Sequence, residues 1–197
     1  MTDPEVVILN TGIANTASVI AAFERLGCRV LLTDDADTAR NAELLVLPGV
    51  GNFSSGMDAL LETGLDQVIR ERVEHNRPLL GICLGLQLLC TSSEESPGVH
   101  GLGVMDASVT RFPAGVRTPQ HGWNAVGDGY AYYSNTYRIE SIPAGWDGIY
   151  STHGGEFVAC LSRGSILACQ FHPELSGSWG ESLLRKWIRT SVEVSSC

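Results

Sequence analysis

Lysine is almost missing from this sequence. Lys186 is the only one, and 13 cationic side chains stand against 22 carboxylates, for a formal net charge of -9 over 197 residues. That balance opposes general binding to nucleic acid or to an anionic membrane surface, because phosphates would be repelled. No run of Lys and Arg overrides the average. Long apolar runs are missing too. The longest, PLLGICLGLQLLC, is too short for a membrane span and is interrupted by glycines and a glutamine. A basic leader is absent: MTDPEVVILN is acidic and passes directly into a short apolar strand, so the expected location is the cytoplasm.

Cysteines at CxxC spacing are also lacking, so no zinc site and no cofactor are expected. Six cysteines are present, but without a secretory signal they are not read as disulfides. Cys28, Cys90, Cys160 and Cys169 lie among apolar residues and are expected as small buried hydrophobes, and Cys197 is a loose terminal residue. There is no internal repeat, low-complexity tract or linker, so residues 1–197 are expected to form a single domain. What is present is an ordinary globular composition, 44% hydrophobic and 18% charged, long enough to bury a substantial core.

In the first half, short apolar runs alternate with amphipathic patterns. Strands are expected at Glu5–Asn10, Cys28–Thr33, Glu43–Leu47 and Pro78–Ile82. Helices are expected at Asn15–Leu26, stopped by Gly27, at Ser54–Leu61 and Leu65–Asn76, and from about Leu84. The second half holds shorter strand candidates at Val104–Arg111, Asn124–Val126, Tyr130–Ser134, Gly148–Ser151, Glu156–Leu161 and Ile166–Phe171. A last helix is expected near Gly180–Val192, with Leu183, Leu184, Trp187 and Ile188 as its buried stripe. The expected class is α/β: an open, mixed, mainly parallel central sheet with helices on both faces and an antiparallel extension.

Chemistry concentrates in a few places. Cys83 lies between a buried strand and a helix, flanked by Gly81 and Gly85. A sharp strand-to-helix turn needs small neighbours, lifts the side chain above the sheet edge and sets it at a helix N-terminus, where an anion is favoured. The plain alternative is one more buried thiol. His172 and Glu174 flank Pro173 at the end of another strand. In extended backbone, residues two apart point to one side, so the carboxylate can orient the imidazole, which can then serve a thiol as base. The plain alternative is a satisfied histidine at a strand end. His75 and His100 are read as surface loop residues. The glycine-rich PGVGNF, Pro48–Phe53, follows a strand and offers backbone N–H groups that could stabilise an oxyanion beside the Leu84 N–H, or could simply form a tight turn.

Taken in order, PGVGNF, GICLGLQLL and QFHPE resemble the class I (triad) glutamine amidotransferases. TPQHGWN, SEESPGVHGLG, YYSNTYR and the opening NTGIANTASV are similar to the glutaminase subunits of imidazole glycerol phosphate synthases, over nearly the whole chain. The resemblance implies a triad of Cys83, His172 and Glu174 that releases ammonia from L-glutamine through a thioester. It implies an oxyanion hole from Gly49, Val50, Gly51 and Leu84, with Gln87, Glu95, Thr136 and Tyr137 binding the glutamine. It implies a (β/α)8-barrel cyclase partner, with Trp123 and Asn124 at the ammonia exit, in histidine biosynthesis. Trp123 has a plain reading as a core or interface aromatic.

Free ammonia in neutral water is mostly protonated, so a glutaminase must deliver it inside a complex and should idle without an acceptor. A peptide flip at Gly49 and Gly51 could make or unmake the oxyanion hole. Three departures from the family's wording bear on the partner: Gln120-His121 replaces His-Met, Ser134-Asn135 replaces Val-His, and Leu175 stands where a basic residue normally meets the partner. One interfacial salt bridge is therefore expected to be missing. The alternative reading is a paralogous glutaminase serving another synthetase, such as one that aminates a surface-sugar precursor.

Overall fold

The computed structural model describes residues 3–12 and 15–195. Cys197, and Ile13 and Ala14 of the opening segment, lie outside the described residues. The first half runs β1 (Glu5–Leu9), α1 (Thr16–Arg25), β2 (Arg29–Thr33), α2 (Ala36–Asn41), β3 (Leu44–Leu47), α3 (Phe53–Thr63), α4 (Leu65–Glu74), β4 (Leu79–Ile82) and α5 (Leu84–Leu88). The second half runs β5 (Ser92–Ser93), β6 (Ser108–Arg111), β7 (Gln120–Val126), β8 (Gly129–Asn135), β9 (Tyr137–Ile139), β10 (Asp147–Thr152), β11 (Glu156–Arg163), β12 (Ile166–Cys169) and α6 (Gly177–Ser195).

Seven strands form one sheet in the order β10-β11-β12-β4-β3-β1-β2. From β12 to β2 the pairs are parallel, and β10 and β11 add an antiparallel edge. The expected class is thus observed. The inner parallel strands β1, β3, β4 and β12 are buried, with side chains alternating between two cores, whereas the edge strand β2 is largely exposed. Val7, Leu9, Leu45, Leu47 and Leu79 pack with α3 and α4 on one face. Val6, Ile8, Leu44, Val46, Leu80 and Ile82 pack with Phe23 of α1 and Leu184 and Trp187 of α6 on the other. Buried Arg72 of α4 ties the first face to its loops, donating to the carbonyls of Pro78, Ala39 and Ala42.

Three readings of the second half are corrected. Not all its strands extend the main sheet: β5-β6-β9 and β7-β8 form two smaller sheets. The strand expected from Val104 starts only at Ser108, because the Val104 and Met105 N–H groups donate to the Leu89 carbonyl. The buried stripe of α6 holds at Leu184, Trp187 and Ile188, whereas Leu183 is half-buried. Cys28, Cys90, Cys160 and Cys169 are buried free thiols, as expected. Among the described residues no helix is long and apolar enough to cross a membrane.

Candidate active site

Cys83 sits on the turn from β4 into α5 with φ 54° and ψ -106°, an unusual conformation for a residue with a side chain. Its own N–H donates to the Cys169 carbonyl at 2.7 Å, which pins the turn to the end of β12. The flanking glycines are demanded by close approach. A Cβ on Gly85 would lie 2.0 Å from the Leu47 carbonyl oxygen, and one on Gly81 would lie 3.2 Å from the Gly85 carbonyl carbon. The turn therefore presses α5 against β3, where only hydrogen fits at Gly85, and leaves Gly81 tight against the α5 backbone.

His172 emerges just past β12. Its backbone N–H donates to the Tyr132 carbonyl at 2.8 Å, and its own carbonyl accepts from the Ser176 hydroxyl at 2.6 Å. Nδ1 meets Glu174 Oε1 at 2.8 Å, and both side chains are buried. That contact leaves Nε2 on the edge of the ring away from Glu174, and Cys83 lies near enough to act on the charge of the imidazole. Burial alone would depress the imidazole pKa. Interaction with Cys83 and Glu174 outweighs it and raises His172 to about 10. The charged form of the ring is thereby favoured.

The pairing of His172 with Glu174 was expected, but its geometry differs. Pro173–Leu175 is a turn of 3-10 helix, and only His172 itself is extended. The turn, not strand alternation, brings the carboxylate back to Nδ1.

The PGVGNF loop lies against the same turn. The Leu84 N–H donates to the Gly49 carbonyl at 3.3 Å, so in this conformation it is engaged inside the protein. Val50 is exposed, and Gly51 has φ 105°. Of the residues expected to hold glutamine, Gln87 and Tyr137 are neighbours: Gln87 Nε2 donates to the Tyr137 carbonyl at 3.3 Å. Glu95 Oε2 accepts from the Phe53 N–H at 2.7 Å, at the end of the same loop. Thr136 is half-buried, and its carbonyl accepts from the Phe112 N–H at 3.2 Å.

A cavity of about 170 Å³ opens over the site, lined by Gly49, Val50, His121, Tyr132, Ser134, His172, Glu174 and Leu175, among others. Gln87, Glu95, Thr136 and Tyr137 do not line it. A second cavity of about 500 Å³ adjoins it, lined by Gln120, His121, Trp123, Asn124 and His153, among others. Trp123 is 59% exposed, which removes its reading as a core residue. Asn124 Nδ2 donates to the Thr152 carbonyl at 2.8 Å. Residues at the departures gather at the shared rim: His121 bonds to Tyr132 Oη at 3.0 Å and Ser134 Oγ at 3.3 Å, and Leu175 is exposed.

One contact was not anticipated. Gln170 Nε2 lies 3.7 Å from Cys83 Sγ, and Gln170 Oε1 accepts from Gln87 Nε2 at 2.9 Å. Gln170 stands two residues before His172, so strand alternation could have placed it near the site. Its neutral amide gave no reason to choose it.

Comparisons with known proteins bear on the family and the fold. The model of the family described as Glutamine amidotransferase class-I matches residues 7–190. The chain is 40% identical over 201 residues to the imidazole glycerol phosphate synthase subunit HisH of Deinococcus radiodurans, covering 94% of each protein. It is 39% identical over 209 residues to the chloroplastic imidazole glycerol phosphate synthase hisHF of Arabidopsis thaliana, but spans only 35% of that longer protein. In fold it is similar to a crystal structure of a glutamine amidotransferase, with a TM-score of 0.79 at 22% identity, covering 94% of this chain and 98% of that one.

Proposed function

Because the chain belongs to the class-I glutamine amidotransferases, we propose that it works as one domain, the glutaminase subunit of an imidazole glycerol phosphate synthase. The contact that carries the reading is Glu174 Oε1 on His172 Nδ1, beside Cys83 on its strained strand-to-helix turn. The thiolate of Cys83 attacks the side-chain amide carbon of L-glutamine. The His172 imidazolium gives its proton to the departing nitrogen, and the C–N bond breaks to leave a thioester and ammonia. Neutral His172 then takes a proton from water, which attacks the thioester. Glutamate leaves, and the proton returns to the Cys83–His172 pair. Glu174 holds the ring orientation and stabilises its charged form through both halves.

The tetrahedral intermediates need donors at their oxygen. Leu84 N–H is one, and the loop of Gly49, Val50 and Gly51 supplies the other. Since the Leu84 N–H is engaged by the Gly49 carbonyl, the hole forms only when that peptide turns over. Such a loop ties turnover to an occupied partner. Gln87, Glu95, Thr136 and Tyr137 bind the amino-acid end of glutamine once the loop has moved. The partner is a (β/α)8-barrel cyclase that docks over Trp123 and Asn124 and receives the ammonia, in the cytoplasm, as a step of histidine biosynthesis. Exposed Leu175 gives that interface an apolar contact in place of an ion pair.

The test is one assay in two states. Glutamate release is measured for the chain alone, then with the cyclase and its nucleotide substrate. Release should rise sharply in the second state. Cys83→Ala should abolish use of glutamine while ammonia-dependent synthesis continues. Glutamine use that survives Cys83→Ala overturns the nucleophile assignment, and steady turnover indifferent to cyclase overturns the loop mechanism.

A further inference from the structure

The orientation of the Gln170 amide follows from a backbone carbonyl two contacts away. A carbonyl can only accept. The Tyr137 carbonyl lies 3.3 Å from the Gln87 side chain, so that end of the Gln87 amide is its NH2. The same NH2 lies 2.9 Å from the Gln170 side chain, which must present its oxygen there. The Gln170 NH2 is then left facing Cys83 Sγ at 3.7 Å. Gln170 has 0% exposure, so water does not compete for either contact, and its N–H is tied to the Ala159 carbonyl at 2.8 Å.

We propose that Gln170 is a positioning residue for the nucleophile, whose amide N–H holds the Cys83 sulfur and favours its thiolate. The inference rests on the glutaminase reading. A donor aimed at an anion stabilises the anion, and more so where solvent is excluded. The other groups facing the sulfur are the His172 ring, backed by Glu174, and the Ser134 carbonyl at 3.9 Å. The carbonyl can accept from a thiol but repels a thiolate. Once the proton has left, the Gln170 amide is a side-chain donor already lying against the sulfur. The His172 proton is the one spent on the leaving nitrogen, so the Gln170 donor keeps the sulfur in place while that proton moves. Gln87 has a part in this beyond substrate: it sets which end of Gln170 meets the sulfur.

The full chain is alkylated with iodoacetamide across a pH series, with peptide mapping to follow Cys83 alone. The wild type is compared with Gln170→Leu and the near-isosteric Gln170→Glu. A hydrogen bond to a charged group is lost, so both variants should react roughly tenfold or more slowly at neutral pH. Their rate–pH curves should move to higher pH, with the plateau rate preserved. A merely structural role would lower the melting temperature without moving the curve. If the leucine variant fails to fold, the glutamate variant decides by the same criterion. A reactive wild-type Cys83 with unshifted curves in the folded variants overturns this inference and leaves the glutaminase reading intact. An unreactive wild-type Cys83 that also releases no glutamate with the cyclase present overturns the glutaminase reading itself.

Discussion

Gly85→Ala tests how closely α5 packs on β3. The added Cβ would stand 2.0 Å from the Leu47 carbonyl oxygen and 3.0 Å from its carbon. Neither atom belongs to a flexible side chain, and Leu47 ends a buried strand in the middle of the sheet. The first turn of α5 must therefore retreat by about an ångström. Overpacking of this kind costs about 3 kcal/mol where no side chain can yield. Alanine in place of glycine returns about 1 kcal/mol of helix propensity. The net loss is about 2 kcal/mol, or roughly 4–8 °C in melting temperature for a chain of this size. The functional effect should be larger, because the displaced turn carries Cys83 and the Leu84 N–H. A misplacement of about an ångström can cost on the order of 100-fold in rate. Circular dichroism gives the melting temperature, and glutamate release with cyclase present gives the rate. A variant that melts within about 1 °C of wild type and turns over normally refutes the packing argument and the claim that G-x-C-x-G is a steric requirement.

Two further outcomes follow from the same geometry. His172 is raised in the folded chain to about 10 from an ordinary 6.5, so its contribution to stability is complete below about 6.5 and is lost as pH rises through about 10. Urea denaturation of wild type should therefore show stability falling across that window by on the order of a few kcal/mol. Glu174→Gln should shrink the fall and shift it to lower pH; equal falls in the two proteins would deny the carboxylate its role. Trp123→Ala, at a side chain 59% exposed, should leave folding stability within about 0.5 kcal/mol while weakening cyclase binding by about 2 kcal/mol or more, read by calorimetry. A loss of stability without a loss of binding would make Trp123 a packing residue.

Much of the fold was legible because parallel strands buried on both faces leave unbroken apolar runs, as in VVIL, LLVL and LLGI. The helix α2 escaped because ADTARN is short and mostly polar, held by the Asp35 cap on the Thr38 N–H rather than by an apolar stripe. The strands of the second half were located better than they were assigned. Asn124–Val126 and Glu156–Leu161 look alike as short strands, but one joins a two-stranded ribbon and the other the main sheet. Partnership between strands is set by distant residues, and local pattern does not encode it.

The site divides along a similar line. Cys83, His172 and Glu174 could be picked out because ionisable groups beside glycine or proline at strand ends are chemically conspicuous. Their mutual geometry was less legible: extended backbone was expected to set Glu174 beside His172, whereas Pro173 starts a 3-10 turn that closes the contact instead. Gln170 was invisible for a deeper reason. A neutral amide has no inherent direction, and this one acquires its polarity only because the Tyr137 carbonyl fixes Gln87, and Gln87 fixes Gln170. The strand that carries Tyr137 is thereby connected to the sulfur through two side chains. A displacement of that strand when glutamine binds would reach Cys83 through the Gln170 amide. Substrate binding and activation of the nucleophile are then two ends of one hydrogen-bonded chain, and a substitution at Gln87 should perturb both together.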